Sequence, residues 1–195
     1  MNWHREIAGH IESIYRESNE TFSNYQQQMG LPCLSGCGAC CLSPEISASI
    51  LEMLPTAFSV VDKNGVEFAE QFLQQLENSQ DFVCVFYKRL SLDGKKGHCT
   101  NYEFRPSVCR SFGAAALRDK NGNKSMSICK YIKEAFPETI KNLDPIDAPV
   151  IGDFAKKITL LDPYLGNKLY PINEALKLAL IKVLSITYFE GNRSA

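Results

Sequence analysis

The residues best suited to chemistry are four cysteines within nine positions: Cys33, Cys37, Cys40 and Cys41. A Cys-x2-Cys pair in a tight turn, here Cys37 and Cys40, lets two sulfurs face one ion, as in zinc knuckles and iron–sulfur loops. Gly36 and Gly38 flank Cys37 and allow the backbone to bend, so that amide N–H groups can point at thiolate sulfur. Ser43-Pro44-Glu45 reads as a helix start, with the helix running to Leu54 ahead of Pro55. Its positive end would lie beside Cys40 and Cys41 and favour the thiolate form that binds metal. Neighbouring side chains diverge, so Cys40 and Cys41 are not expected to share one tetrahedral ion.

Four more cysteines follow: Cys84, Cys99, Cys109 and Cys129. Eight thiols at four ligands per ion suit two metal ions, as separate sites or as a thiolate-bridged pair, whereas one four-iron cluster would use only half of them. Cys84, within Phe82-Val83-Cys84-Val85-Phe86, also suits a buried thiol. Residues 84–130 carry ten Lys/Arg against three Asp/Glu, while residues 1–83 carry three against eleven. That basic block can offset the charge left when thiolates outnumber the ions they bind. Arg105 and Arg110, close to Cys109, are candidate hydrogen-bond donors to the thiolates or to nearby carbonyls. His98 is a ligand by type but reads as a surface residue of a loop.

The string Cys99-Thr100-Asn101-Tyr102-Glu103-Phe104-Arg105-Pro106-Ser107-Val108-Cys109-Arg110, with the Cys33–Cys41 cluster, Cys84 before aromatic residues and a trailing Cys129, resembles the CxxCxxCC (YkgJ-like) zinc- or iron-chelating domain family. The resemblance covers about residues 31–130, and the first gap of the cluster is three residues where the family name has two. It implies a metal-ligand set of Cys33, Cys37, Cys40, Cys41, Cys84, Cys99, Cys109 and Cys129. Zinc is the expected metal, with iron or an iron–sulfur cluster as the alternative. A similar cysteine module occurs in flagellin lysine methylases. The second functional expectation is therefore an iron–sulfur or redox component supporting electron transfer or a protein modification such as methylation.

Other classes are disfavoured. The 195-residue chain is 45% hydrophobic with a net charge of −1, ordinary globular composition without the global basic field of a nucleic-acid binder. Paired carboxylates, a Ser/His/Asp arrangement and a Gly-rich phosphate loop are all missing from the sequence. The N-terminus lacks an apolar signal stretch, and the longest apolar run, Leu176 to Phe189, is broken by Lys177 and Lys182. These features predict a cytoplasmic protein with no membrane contact, metal ions as its partners and an undefined protein partner. In a reducing compartment a cysteine cluster points to metal before disulfides.

The elements that must position these residues read as mainly helical, a small α+β fold with a short β-hairpin and a cysteine-rich core wrapped by helices. Ile7, Ile11, Ile14 and Tyr15 share a face of a helix over about residues 2–28. Val66, Ala69, Phe72, Leu73 and Leu76 mark another after a turn at Lys63-Asn64-Gly65. Phe82 to Tyr87 reads as a strand, Asp93 to Gly97 as a loop, and Arg105-Pro106 as the start of a short helix through Phe112. Asp119 to Lys124 reads as a polar turn, and Ile128, Ile132 and Phe136 as a helix ending at Pro137. Residues 144–171, with four prolines, are the least regular, and a final helix spans about Asn173 to Tyr188. One domain is expected over 1–195: an N-terminal helix (1–30), a metal-binding core (31–135) and a C-terminal helical extension (136–195).

Overall fold

Ile7, Ile11, Tyr15, Ser18, Phe22 and Tyr25 recur at three- and four-residue intervals and are buried, which makes α1 (Trp3–Gln28) a long helix seated along one face. A computed structural model describes residues 3–78, 82–92 and 96–191. After α1 a loop leads to one 3-10 turn, Ala39–Leu42, that carries both Cys40 and Cys41.

The second helix does not begin at Ser43. Residues 47–49 form β1 (Ser47–Ser49), and α2 (Ile50–Asn64) follows with Ser49 as its N-cap. Ser49 and Glu52 make a reciprocal capping box, which satisfies two otherwise orphaned amides and outcompetes the Ser43-Pro44 start. Pro55 therefore lies inside α2 rather than ending it, and burial of the surrounding Leu51, Met53, Leu54, Ala57 and Phe58 outweighs the one backbone hydrogen bond it removes. Gly65, at φ 86°, ends α2, and α3 (Val66–Asn78) begins at the next residue.

The strand expected over Phe82–Tyr87 is displaced. β2 (Tyr87–Arg89) pairs antiparallel with β3 (Gly97–Cys99), and Cys84 sits in the turn before it. Of the expected loop at 93–97, residues 93–95 lie outside the described residues. α4 (Ser107–Ser111) follows Pro106, as the Arg-Pro step indicates. A second hairpin, β4 (Ala114–Arg118) and β5 (Lys124–Ile128), closes through the polar turn at 119–123. α5 (Lys130–Ala135) is short, and Pro137 starts α6 (Pro137–Ile140).

Residues 144–171 are more regular than their prolines suggest. They hold α7 (Ile151–Thr159), α8 (Pro163–Gly166) and β6 (Leu169–Pro171), which pairs antiparallel with β1. Pro163 occupies the first turn of α8, where a missing N–H costs nothing, and Asp162 caps that turn. α9 (Ile172–Gly191) closes the fold against α2 and α3. Its Ala175, Leu176, Ala179, Leu180, Val183 and Leu184 are buried in the core formed with α1 and α2, so its apolar surface serves this chain's interior. The architecture is a small, mainly α, α+β fold with three short antiparallel strand pairs among the described residues.

Candidate metal centre

All eight cysteines line two adjoining cavities. The smaller, about 20 Å³, is bordered by Cys40, Cys41, Cys84, Cys99 and Cys109 together with apolar Ile46, Met53, Phe86 and Ile172. The larger, about 310 Å³, is bordered by Cys33, Cys37, Cys40, Cys109 and Cys129. Cys40 and Cys109 face both, and Arg105 borders both. His98 is exposed on β3 and reaches neither.

Short-range packing brings these segments together. Tyr87 presses its ring between Gly38 and Gly97: a Cβ on Gly38 would come within 2.5 Å of that ring, and one on Gly97 would overlap it. Gly38 also sits at φ 58°, a left-handed conformation that glycine adopts readily. The Gly97 amide donates to the Gly36 carbonyl (2.9 Å) and the Cys84 amide to the Cys41 carbonyl (2.8 Å), which pin the β2–β3 hairpin and the Cys84 turn onto the cysteine loop. Asn173 of α9 fixes the same turn from outside. Its amide oxygen accepts from Val85 N–H (3.0 Å) and its Nδ2 donates to the Val83 carbonyl (2.8 Å), one bond on each side of Cys84.

Cys109 is placed by α2. Glu52, buried in α2, accepts from the Ser107 amide at the start of α4 (3.1 Å) with one carboxylate oxygen, while the other completes the capping box at Ser49. Thr56, one turn further along α2, donates to the Phe104 carbonyl (3.0 Å) and accepts from Asn101 Nδ2 (3.1 Å). Cys129 enters from the other hairpin, its amide donating to the Gly113 carbonyl (2.6 Å).

The thiols interact with one another. Cys40 is held far below the ordinary thiol range, at about 3, chiefly because the Cys109 and Cys41 thiols hydrogen-bond to it and stabilise its thiolate. Cys99 is lowered to about 7 by a hydrogen bond with Cys41. Cys41 and Cys109 are correspondingly raised as the donors of these bonds, and burial raises Cys33 and Cys37. The Arg105 charge favours the thiolate at Cys33, Cys40, Cys99 and Cys109. Among the described residues no three His, Cys, Asp or Glu side chains converge into a closed ion cage. The thiols surround the cavities instead.

The two arginines are placed differently. Arg105 stacks on Tyr102, its guanidinium carbon 3.4 Å from the ring centroid, and its buried Nε has no hydrogen-bond partner. Arg110 donates from Nε to the Arg105 carbonyl (2.7 Å) and from Nη2 to the Glu103 carbonyl, so its donors go to backbone. Several residues of the site were not singled out by sequence: Glu52, Asn173, and Asn19, Ser23 and Gln26 on the wall that α1 gives the larger cavity. A visible signal for the last group is the polar Gln26 at a buried position of α1.

Eight cysteines around two joined cavities, with charged and backbone supports behind them, have the make-up of a thiolate chelating module. The model of the CxxCxxCC family, described as "Putative zinc- or iron-chelating domain", matches residues 32–130. This is just over half of the chain, and the protein belongs to that family. No curated protein and no solved structure matches the chain. No helix among the described residues is long and apolar enough to cross a membrane.

Proposed function

We propose that this protein chelates two zinc ions through its eight cysteines, divided into an inner group of Cys41, Cys84, Cys99 and Cys109 and an outer group of Cys33, Cys37, Cys40 and Cys129. The observation that carries this reading is the lining of two adjoining cavities by all eight thiols and, among the described residues, by no His, Asp or Glu side chain. The division also assigns the neighbours Cys40 and Cys41, which follow one another in one 3-10 turn, to different ions. The donor set fits the metal: thiolate sulfur suits zinc and iron alike, and four per ion is the usual count for a structural site. Bound metal would supply cross-links among the cysteine loop, the Cys84 turn, the β2–β3 hairpin, α4 and the start of α5. Arg105 supports the charge of the thiolates, and Arg110 holds the backbone that carries Arg105.

Elemental analysis of protein purified without oxygen tests the reading. About two zinc ions per chain are expected, in a colourless protein. Brown protein with iron and sulfide would replace zinc by an iron–sulfur centre. A metal content near zero would overturn chelation altogether.

A further inference from the structure

The two cavities differ in ways that coordination alone does not require. The inner one has room for about one water molecule and is lined by apolar Ile46, Met53, Phe86 and Ile172, of which Ile46, Met53 and Ile172 are buried. The outer one is some fifteen times larger and is lined in part by the exposed Tyr102, Tyr131 and Cys33. One of its walls is α1, which presents Asn19, Ser23 and Gln26 to it beside the apolar stripe of the helix. A small, apolar-lined space disfavours water and polar ligands, whereas a larger one with hydroxyl and carboxamide groups along one wall, beside apolar Leu34, Phe112 and Ile132, has room and partners for both.

Thiolate-bound metal leaves a site quickly only when an incoming ligand can reach it and replace the sulfurs one at a time. We propose that the outer ion, held by Cys33, Cys37, Cys40 and Cys129, is exchangeable cargo, taken up and released through the α1-lined opening, while the inner ion is a permanent structural one. This inference rests on the two-ion chelation reading and adds a division of labour to it. Exchange begins at Cys33, the most accessible of the outer thiols, and the incoming ligand is a small thiolate, imidazole or carboxylate donor of a size the cavity accommodates. No redox change is involved: each sulfur displaced is replaced by one donor atom, and the released thiolate takes up a proton from solvent.

The test is the kinetics of zinc transfer from the loaded full chain to excess pyridylazoresorcinol, a chromophoric chelator, with total zinc measured beforehand. Two phases of one equivalent each are expected, differing at least about tenfold in rate. Cys33→Ser should remove the fast phase and leave one slowly released ion. Ser23→Trp, which narrows the opening from an exposed position on α1, should slow the fast phase and spare the slow one. Ile46→Ala, which thins the apolar lining of the inner cavity, should accelerate only the slow phase. A single phase for both equivalents, a total of one ion, or loss of the slow phase in Cys33→Ser would overturn the inference while leaving chelation standing. A total near zero would instead sink the chelation reading beneath it.

Discussion

Arg110 lies against the ring of Tyr15, its guanidinium carbon 4.4 Å from the centroid, so the end of the Arg-Pro motif is anchored on α1 and not on sulfur. Both residues are buried. Burial lowers the Arg110 guanidinium to about 10, still charged at neutral pH. The Tyr15 hydroxyl is in turn committed, donating to the Glu52 carbonyl at 2.5 Å. The chain α1–Arg110–Glu103/Arg105 thus sets where the Arg105 charge meets the thiolates. Arg110→Ala is expected to retain all eight cysteines yet bind zinc about 10–100-fold more weakly. It should also lose about 1–3 kcal/mol of stability, because carbonyls are left without their donor. Chelator competition and thermal melting measure the two effects, and unchanged chelator competition would remove Arg110 from the site.

Glu52 serves two helices at once. Glu52→Ala leaves the Ser107 and Ser49 amides unpaired in the interior, at a cost of about 2–4 kcal/mol. For a chain of this length that is roughly 4–16 °C in melting temperature. Glu52→Gln keeps one acceptor oxygen and should lose less. Equal melting of the two variants would show that the Ser107 contact does not matter.

Gly38 and Gly36 both have positive φ but only Gly38 is crowded. Gly38→Ala should separate the cysteine loop from Tyr87 and lower zinc content below two equivalents. Gly36→Ala meets open space and carries backbone strain of about 1 kcal/mol alone. Metal assays on the pair distinguish a packing role from a conformational one: similar zinc content in both would exclude the Tyr87 contact.

Metal binding should weaken in acid. The metal-free protein holds protons on Cys41 and Cys109, whose thiols are raised, while Cys40 is already thiolate and Cys99 becomes so above about pH 7. Loaded protein binds fewer protons than metal-free protein, so lowering pH favours the metal-free form. Apparent affinity should fall about tenfold per pH unit for each proton displaced, and below about pH 7 Cys99 adds one more. Competition titrations at pH 6, 7 and 8 check the slope, and a flat profile would show that thiolates are not the ligands.

Asn173 holds Val83 and Val85, the neighbours of Cys84, from a helix outside the segment matched by the family. Asn173→Leu should free the Cys84 turn and raise the rate at which the inner ion is lost, with α9 still packed. Circular dichroism should be unchanged while chelator release accelerates. Unaltered release would assign the turn's position to Cys41 alone.

The cysteines, the Arg-Pro entry to α4, and helices α1, α3 and α9 were legible because each rests on local signals: spacing, a fixed proline φ, or an apolar period of 3.6. The β4–β5 hairpin was not. Ala114, Ala115 and Ala116 have poor strand preference, and they pair because all three are fully buried, with Ala115 facing Phe22 and Phe154 while Ala114 and Ala116 face Tyr25 and Leu31. Only small residues fit between those two clusters, a tertiary condition that no local pattern carries. The start of α2 was misread because Ser43-Pro44 and Ser49-x-x-Glu52 both look like helix starts, and the deciding partner of Glu52 is Ser107, 55 residues away. The gathering of the eight thiols around two adjoining cavities was equally hidden, since it depends on how hairpins far apart in sequence meet.

The pairing of α2 with α9 imposes an order on biosynthesis. Roughly a hundred residues separate Asn64, where α2 ends, from Ile172, where α9 begins. A ribosome adding about 5–20 residues per second needs roughly 5–20 s to cover that distance. Throughout that interval Leu51, Leu54 and Phe58 have emerged without the helix that will shield them, and Cys84 lacks the clamp at Asn173. The nascent chain therefore exposes the apolar face of α2 until α9 is made, and the clamp on the Cys84 turn forms only after that last helix leaves the exit tunnel.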